Sequence, residues 1–312
     1  MTALRIIATV LVYNEADIVA QVLDNLHRNR IEFVVLDGGS QDGSIEIARG
    51  FRGKGLLEHR TLNRGVWKLQ ADLDCLVEMA ARHTPDWIVL NDADEFLEPR
   101  ELRTTLHEAI VRENREGHNV VQFDNFEFSL TERDSESKEP DVRKRLRFYK
   151  WSDDYRYKAW KYYPGATFSS TGGHRPVFPK GVKAKLSPRK FVMRHYRFRS
   201  IEQAMRKVFK ERLPRYATEE RAKGWHVQYD DFRNDPKFFV ENSKTLSEYN
   251  EDGMWEIVRD PDWYPMYLTS DELFGSPTAR MAALISRIMN PKKSVALLKR
   301  VAGRRFSRSQ SG

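Results

Sequence analysis

Cysteine is almost absent from this sequence of 312 residues, in which Cys75 is the single one. One thiol cannot form a disulfide within the chain, and such sparse use of cysteine is typical of a reducing compartment. Long uncharged stretches are also missing, because no segment offers the roughly 18 apolar residues that a membrane-spanning helix needs. The apolar run at residues 4–12 leads directly into a polar loop, which is typical of a first strand and not of a secretion signal. We therefore expect a cytoplasmic protein without a spanning helix.

Three common ligand-binding motifs are missing as well. No G-x-G-x-x-G follows the first apolar run, which excludes the usual dinucleotide-binding fingerprint. Neither a G-x-x-x-x-G-K-[ST] phosphate loop nor an H-E-x-x-H pair of zinc ligands is present. Hydrophobic residues make up 40% and aromatic residues 12% of the chain, so we still expect a packed, globular protein.

Acidic residues are missing from the C-terminal end of the chain, where basic residues are concentrated. No Asp or Glu occurs after Glu272, whereas nine Lys and Arg residues follow Gly275. The net charge of +8 therefore belongs to this tail, and a basic nucleic-acid-binding protein is the weaker interpretation. Apolar residues at 281–289 and 294–299 lie beside the basic ones, which favours contact with an anionic membrane surface. A helix packed on the preceding domain is the alternative interpretation.

Apolar runs of strand length alternate with helical patterns in the first third of the chain. The runs at 4–12, 32–36 and 87–90 are nearly continuous, and 55–59 is typical of an edge strand. This order predicts an α/β fold with a mostly parallel sheet and helices on both faces. We also predict that Asn14 caps the first helix and that Ser200 caps a helix reaching residue 212.

The pattern changes after a helix predicted at 101–114. A strand is predicted at 120–130, and short aromatic-rich segments at 146–151, 157–163, 175–178 and 191–198 predict a smaller antiparallel extension. We divide the chain into a domain at 1–210, with halves at 1–115 and 116–210, a helical or irregular extension at 211–275, and a basic amphipathic tail at 276–312.

Two aspartates follow the apolar run that ends at Leu90. Asp92 and Asp94 are two positions apart, so on an extended chain they point to the same side. Like charges held close together repel, and a divalent cation is the simplest compensation. Oxygen ligands of this kind suit Mg²⁺ or Mn²⁺. The alternative is a strand followed by the acidic first turn of a helix.

Polar loops also follow the first two predicted strands. In a parallel sheet these loops lie at the same edge as Asp92 and Asp94, where such sheets bind ligands. An acidic residue after the second strand commonly accepts hydrogen bonds from a ribose or a base, and glycines let a ligand approach the backbone. Ordinary turns are the alternative. The candidate nucleotide-binding residues are Tyr13, Asn14, Glu15, Asp37, Gly38, Gly39 and Asp42.

Residues 10–15, 34–44 and 91–96 together resemble GT-A fold glycosyltransferases, close to the family 2 group. Their sequences are VLVYNE, VVLDGGSQDGS and NDADEF, in the order of that family and at about its spacing. A fourth segment at 193–200, MRHYRFRS, resembles the His-Tyr segment of a bacterial subgroup with the Asp-Ala-Asp-Glu-Phe motif. The resemblance covers about residues 4–210, which makes 1–115 the nucleotide-binding half and 116–210 the acceptor half of a catalytic domain.

The resemblance implies a nucleoside-diphosphate sugar as donor. Tyr13, Glu15 and Asp37 would contact the base and ribose, Asp92 would lie near the ribose, and Asp94 would bind Mn²⁺ or Mg²⁺ that bridges the diphosphate. Lys68 could reach the base or a phosphate, or it is simply a solvated lysine. Two departures leave the base open, because Val12 replaces the usual first-loop proline and Asp37-Gly38 replaces a pair of acids.

Residues further along the chain are candidates for the metal site and for the catalytic base. His195 is the best additional metal ligand, since an imidazole can join oxygen ligands on Mn²⁺, although a structural histidine is equally consistent. His174 could orient the acceptor hydroxyl or take its proton, or lie in a plain turn. The family usually inverts with a carboxylate base, for which Glu95 and Asp124 are alternatives.

These expectations describe a metal-dependent glycosyltransferase with a glycan or lipid-linked acceptor, in cell-surface polysaccharide or glycolipid synthesis. The tail would place it at the inner face of the membrane. A sugar-1-phosphate nucleotidyltransferase is the main enzymatic alternative, but the Gly-rich, Arg-containing loop of that class is missing after the first strand. We expect no nucleic-acid partner.

Overall fold

The structure is a computed structural model that describes residues 4–62, 65–134, 139–152, 156–168, 175–216, 218 and 232–250. Its strands, in chain order, are β1 (Ile6–Val12), β2 (Glu32–Asp37), β3 (Leu56–Thr61), β4 (Trp87–Asp92), β5 (Glu95–Glu98), β6 (Val120–Val121), β7 (Phe123–Phe128), β8 (Phe148–Ser152), β9 (Ala159–Lys161), β10 (Thr167–Phe168), β11 (Pro176–Val177), β12 (Phe191–His195) and β13 (Ser247–Glu248). The α-helices are α1 (Val19–Arg28), α2 (Ser44–Arg49), α3 (Leu69–Ala81), α4 (Leu106–Arg115), α5 (Val142–Arg145) and α6 (Ile201–Met205). A π-helical segment, Arg206–Arg212, and a 3-10 turn, Leu213–Arg215, continue α6, and further 3-10 turns are Pro236–Phe239 and Ser243–Thr245.

The main sheet has six strands in the order β3-β2-β1-β4-β9-β6. The first four strands are parallel, whereas β9 is antiparallel to both β4 and β6. Strand β1 is buried along its whole length, as expected of a central strand that is covered on both faces. The predicted α/β fold with a mostly parallel sheet is confirmed, with β3 at the edge.

The first helix covers this sheet with an apolar face. Its buried side chains recur every three to four residues, at Val19, Val22, Leu23 and Leu26. The prediction that Asn14 caps this helix is wrong, because α1 begins only at Val19 and Asn14 has a left-handed backbone with φ of +53°. The Asn14 side chain instead accepts a hydrogen bond from the N–H of Gln41, in the loop after β2.

The second sheet has five strands in the order β13-β8-β7-β12-β5. Its pairs are antiparallel except for β7 and β12, which are parallel. The single strand predicted at 120–130 is two strands, because β6 pairs with β9 in the main sheet whereas β7 pairs with β8 and β12. Of the four segments predicted to form an antiparallel extension, 146–151 and 191–198 supply β8 and β12 of this sheet. Strand β9, in 157–163, belongs to the main sheet instead, and β11, in 175–178, pairs with β10 in a separate two-stranded sheet.

Two helices begin where their capping residues place them. Thr105 accepts from the N–H of Glu108, whose carboxylate accepts from the N–H of Thr105, so α4 begins at Leu106 and later than predicted. Ser200 accepts from the N–H of Gln203 and begins α6, as predicted.

None of the helices in the described ranges is long and apolar enough to cross a membrane. Within the extension, Tyr216 and Phe239 pack against Ala204 and Val208. The tail at 276–312 and most of the extension at 211–275 lie outside the described residues. The amphipathic helices of the tail and the domain boundaries therefore stay predictions.

Candidate functional site

The ends of β1, β2 and β4 meet at the carboxyl edge of the main sheet. The register pairs Val12 of β1 with Asp37 of β2, and Leu11 of β1 with Asp92 of β4. Because neighbouring strands are about 4.8 Å apart, Asp37 and Asp92 flank the end of β1 at roughly 10 Å from each other. The structure thus brings the loops after β1, β2 and β4 to the edge where open parallel sheets bind ligands.

Asp92 and Glu95 share one buried cation, the ammonium group of Lys158. Its Nζ donates to Asp92 Oδ2 at 3.0 Å and to the two Glu95 oxygens at 2.7 and 2.9 Å. Burial and the charge of Asp92 raise the pKa of Glu95. Burial also acts to raise the pKa of Asp92, but the Lys158 charge outweighs it and this pKa is lowered. The Asp92 side chain stays 42% exposed, whereas that of Glu95 is only 2% exposed.

Asp94 is held by a second buried cation, Lys207, in the π-helical segment. Lys207 Nζ donates to Asp94 Oδ2 at 2.7 Å and to Glu15 Oε1 at 2.8 Å, and Arg199 donates to Glu15 Oε2 at 2.5 Å. Burial acts to raise the pKa of Asp94, but Lys207 and the neighbouring His195 lower it well below its usual range. These ion pairs tie the loop after β1 to the end of β4 and keep Asp94 ionised.

His195 brings an imidazole to the other oxygen of Asp94. Strand β12 pairs with β5 so that His195 lies opposite Glu95, and its Nε2 is 3.6 Å from Asp94 Oδ1. Lys207 contacts Oδ2, which leaves Oδ1 on the histidine side for a cation. A carboxylate oxygen and an imidazole nitrogen are donors that suit Mn²⁺ or Mg²⁺. The Asp92 carboxylate, at the end of β4, is half-exposed, but its oxygens are not within 4.8 Å of both of these donor atoms. Asp94 and His195 therefore fit the predicted divalent ion, whereas the part of Asp92 as a ligand stays a prediction.

Asp37 has a buried oxygen without a partner. Its Oδ1 accepts from the N–H of Ser40 at 3.0 Å, but Oδ2 has no hydrogen-bond partner among the described residues. A buried unpaired acceptor is costly, so it marks a position where a ligand N–H or O–H could bind. The next residue, Gly38, lines a cavity with aromatic walls, Tyr13 and Trp67, whose rings pack edge to face at 6.3 Å. Aromatic walls, with an unpaired acceptor on the residue next to Gly38, suit a nucleobase.

Contacts within the protein fix the shape of these first two loops. Gly39 has φ of +90°, and a Cβ there would lie 2.9 Å from the carbonyl oxygen of Leu62, so glycine is required. Asp42 accepts from the N–H of Ala16 at 2.9 Å, and Asn14 accepts from the loop after β2 at 2.8 Å. Asn14 and Asp42 thus join the two loops, and their predicted contact with a ligand stays a prediction.

Two candidates stand apart from this cluster. Lys68 is exposed just before α3 and forms no ion pair with any residue in the described ranges. Asp124 is hydrogen-bonded to Arg100 and lies on β7 three residues before the partner of His195, roughly 10 Å along the strand. His174 lies outside the described residues.

Sequence reasoning missed the three buried cations of the site, Lys158, Arg199 and Lys207. Arg199 lies inside the segment at 193–200 that carries the family resemblance. Lys207 follows Gln203 by about one helical turn, and both are buried on the same face. For Lys158, we find no local signal in the sequence.

A different acidic cluster lies at the C-terminal end of α4. Donor atoms of Glu113, Glu116 and His118 are within 4.8 Å of one another, a spacing that could hold a metal ion. Arg189 donates to both glutamates, however, and His118 Nδ1 is 3.0 Å from Glu113. The chain itself therefore supplies the positive charge that an ion would bring, and we assign this cluster a structural role.

Replacement of the buried member, Glu113→Gln, is expected to lower the free energy of unfolding by about 2 kcal/mol at pH 7. Burial acts to raise the pKa of Glu113, but its bonds to Arg189, Ser187 and His118 lower it overall. A carboxyl group with a lowered folded pKa adds stability above pH 4.5, its unfolded value, and loses it as the pH falls through the folded value. Urea unfolding at pH 7 and pH 3 should show a smaller difference from wild type at pH 3.

The matched control is Glu116→Gln, which removes a charge bound to the same arginine. The Glu116 side chain is 42% exposed, so its loss should cost less than about 1 kcal/mol. Equal costs for the two variants, or a Glu113→Gln effect that does not change with pH, would contradict the structural role.

Comparison with known proteins identifies the family. Residues 8–180, more than half of the chain, match the family model described as glycosyl transferase family 2. The chain belongs to glycosyl transferase family 2. The match contains the loops after β1, β2 and β4, and it confirms the enzyme class that these segments predicted. It also argues against the nucleotidyltransferase and nucleic-acid-binding alternatives.

Solved glycosyltransferase structures resemble parts of this family 2 chain at low identity. S. aureus TarS 1–349 is 13% identical and covers 66% of this chain and 63% of its own, with a TM-score of 0.38. The same TarS fragment solved with UDP is 17% identical, covers 44% of this chain and 41% of its own, and has a TM-score of 0.34. Glucosyl-3-phosphoglycerate synthase from Mycobacterium tuberculosis, solved with Mg²⁺ and UDP, is 20% identical and covers 39% of this chain and 43% of its own, with a TM-score of 0.27.

The chain thus spans less than two thirds of the length of the TarS structures it matches. No curated protein matches it. At these TM-scores the structural likeness carries no argument about donor or acceptor, so the activity has to be argued from the site.

Proposed function

We propose that the chain transfers a sugar from a nucleoside-diphosphate sugar to an acceptor hydroxyl, with Mn²⁺ or Mg²⁺ as cofactor. One observation carries the proposal: the aromatic cavity lined by Tyr13, Trp67 and Gly38, and the unpaired oxygen of the preceding Asp37, lie at the same sheet edge as Asp94 and His195. The aromatic cavity suits a base, and Asp94 with His195 suits a diphosphate that is bound through a cation. Asp37 and Asp92, at the ends of β2 and β4, are roughly 10 Å apart, which is about the length of a nucleoside.

The donor nucleotide would lie along the ends of β2, β1 and β4. The Tyr13 ring offers a face on which the base can stack, and Asp37 Oδ2 would accept from a base N–H or a ribose hydroxyl. The exposed part of the Asp92 carboxylate would lie near the ribose. Lys68, exposed in front of α3, would contact a phosphate or the base.

The cation would be held by Asp94 and His195, with Asp92 beside them. When bound, it neutralises the charge that develops on the departing nucleoside diphosphate. The chain's own part is to keep these ligands charged and in place, through Lys207 on Asp94 and Lys158 on Asp92. Such fixed partners reduce the rearrangement that substrate binding requires.

The acceptor hydroxyl has to lose its proton as its oxygen attacks the anomeric carbon. Of the two described carboxylate candidates, Glu95 adjoins the cluster and has a raised pKa, but Lys158 binds both of its oxygens. Asp124 is engaged by Arg100. We retain Glu95, Asp124 and His174 as candidate bases and propose direct displacement with inversion.

For the acceptor we propose a glycan or a lipid-linked sugar, as in cell-surface polysaccharide or glycolipid synthesis. The support is the tail at 276–312, whose basic and apolar residues would hold the chain at an anionic membrane surface, where such acceptors are found.

Isothermal titration of UDP and of GDP, in MnCl₂ and in EDTA, tests the proposal. We expect one of the two nucleotides to bind in MnCl₂ and to bind at least about tenfold more weakly in EDTA, because the cation links the diphosphate to Asp94. A panel of sugar nucleotides should then show metal-dependent release of the nucleoside diphosphate. Pyrophosphate release from a sugar 1-phosphate and a nucleoside triphosphate would identify a nucleotidyltransferase instead, and no binding of either nucleotide would refute the donor site.

A further inference from the structure

The cavity between Tyr13 and Trp67 is nearly full. Its free volume is about 10 Å³, which is room for about one water molecule. Even the smaller nucleobases, the pyrimidines, are several times the size of a water molecule. A base can therefore be enclosed in this cavity only if a side chain that lines it moves.

Arg215 is the side chain that packs on the Tyr13 ring in this cavity. Its guanidinium carbon is 3.7 Å from the centre of the Tyr13 ring, a stacking distance. Its Nη2 donates to the carbonyl oxygen of Gly38 at 3.1 Å, and its Nε donates to that of Gly65 at 3.3 Å. A planar group that stacks on an aromatic face and donates hydrogen bonds at its edge has the contact chemistry of a nucleobase.

The segment that carries Arg215 is bonded to Trp67, one of the residues that line the cavity. We name residues 213–216 the strap. The N–H of Trp67 donates to the carbonyl oxygen of Arg215 at 2.8 Å, and Trp67 pairs with Tyr216 in a parallel bridge. Just before the strap, the Arg212 guanidinium lies 4.0 Å from the Trp67 ring centre. These contacts fix the strap in the closed position.

We propose that Arg215 is an intramolecular competitor of the donor base, so that a nucleotide binds only after displacing it. This inference rests on the proposed function, because it takes the Tyr13 cavity to be the base site. Displacement breaks, among the contacts of this half-buried side chain, the one with the Tyr13 ring and two hydrogen bonds to carbonyl oxygens. The apparent dissociation constant for nucleotide is then the intrinsic constant divided by the fraction of molecules in which the strap is open.

Nucleotide titrations of Arg215→Ala, in MnCl₂ and with whichever of UDP and GDP the wild type binds, test this competition. Removal of the competing side chain should lower the dissociation constant about tenfold. The matched control is Lys210→Ala, which removes the same charge from an exposed position outside the cavity. Loss of a positive charge alone should leave the dissociation constant of the anionic nucleotide unchanged or slightly higher. The dissociation constant should therefore fall in Arg215→Ala but not in Lys210→Ala.

Binding kinetics of the wild type give a second measurement that needs no variant. If the strap opens before the nucleotide binds, the observed rate constant should level off as nucleotide concentration rises. Unchanged or weaker binding by Arg215→Ala, while the wild type still binds, would overturn the competition and leave the transferase proposal intact. Failure of both proteins to bind either nucleotide would overturn both.

Discussion

Asp94→Asn is expected to lower the turnover number for sugar transfer about 10³-fold, equivalent to about 4 kcal/mol of transition-state stabilisation. Asparagine has nearly the same shape but no charge, so it binds a divalent cation poorly and no longer pairs with Lys207. Glu15 still holds Lys207 in the variant, which should limit the structural damage. Steady-state kinetics with the donor found by titration, together with a thermal unfolding curve, give the measurement.

The control for this variant is Asp86→Asn, the same chemical change just before the opposite end of β4. Asp86 is exposed and accepts from the backbone N–H of Arg5, a bond that asparagine can keep. Its activity should stay within about twofold of wild type. Retention of more than about a tenth of wild-type turnover by Asp94→Asn would contradict the role proposed for this carboxylate.

Arg199→Ala is expected to have the largest effect on folding, a loss of about 3–5 kcal/mol in the free energy of unfolding. The guanidinium is only 1% exposed and donates to Glu15 at 2.5 Å and to Asp17 at 2.7 and 2.8 Å. Its removal leaves the buried Glu15 carboxylate with Lys207 as its remaining cation and breaks the link between the loop after β1 and the end of β12. The shift of the urea midpoint, at an unchanged slope, measures this loss.

Arg197→Ala is the matched control, two residues earlier in the same segment. Arg197 pairs with Glu127, and both side chains are more than 20% exposed, so the expected cost is at most about 1 kcal/mol. Similar midpoints for the two variants would show that the buried network at Glu15 does not stabilise the fold as proposed.

The parallel sheet and the positions of its polar loops could be predicted from local sequence. A fully buried strand such as β1 leaves a continuous apolar run, and the residue that ends it marks the sheet edge. Asp37 and Asp92 could be placed at one edge for that reason, and the register of β1 with β2 and β4 bears this out.

The cations that neutralise the site could not be predicted in the same way. Lys158 is 63 residues from Glu95, and Lys207 is 113 residues from Asp94. Contacts over such separations depend on how the two sheets pack together. The periodicity of apolar residues within one segment does not predict that packing. The paired charges at Asp92 and Asp94 therefore indicated only a metal ion as compensation, whereas Lys158 and Lys207 of the chain provide part of it.

The predicted start of α1 is wrong because the side chain of Asn14 bonds outside its own segment. Asn14 has the residue type of a helix cap, but its side chain bonds to the loop after β2, and the turn that follows delays α1 until Val19. The partner of Asn14 is the N–H of Gln41, in the loop after the neighbouring strand β2. The residues next to Asn14 in the sequence therefore do not indicate this contact.

The central claim is that a divalent cation at Asp94 and His195 binds the diphosphate of a donor nucleotide. A crystal grown with Mn²⁺ and the nucleotide that binds in solution tests it most directly, through anomalous diffraction of the manganese. The account predicts an anomalous peak within about 2.5 Å of Asp94 Oδ1 and His195 Nε2, in contact with the diphosphate. A peak at Glu113 and Glu116 instead, or a bound nucleotide with no manganese beside Asp94, would contradict it.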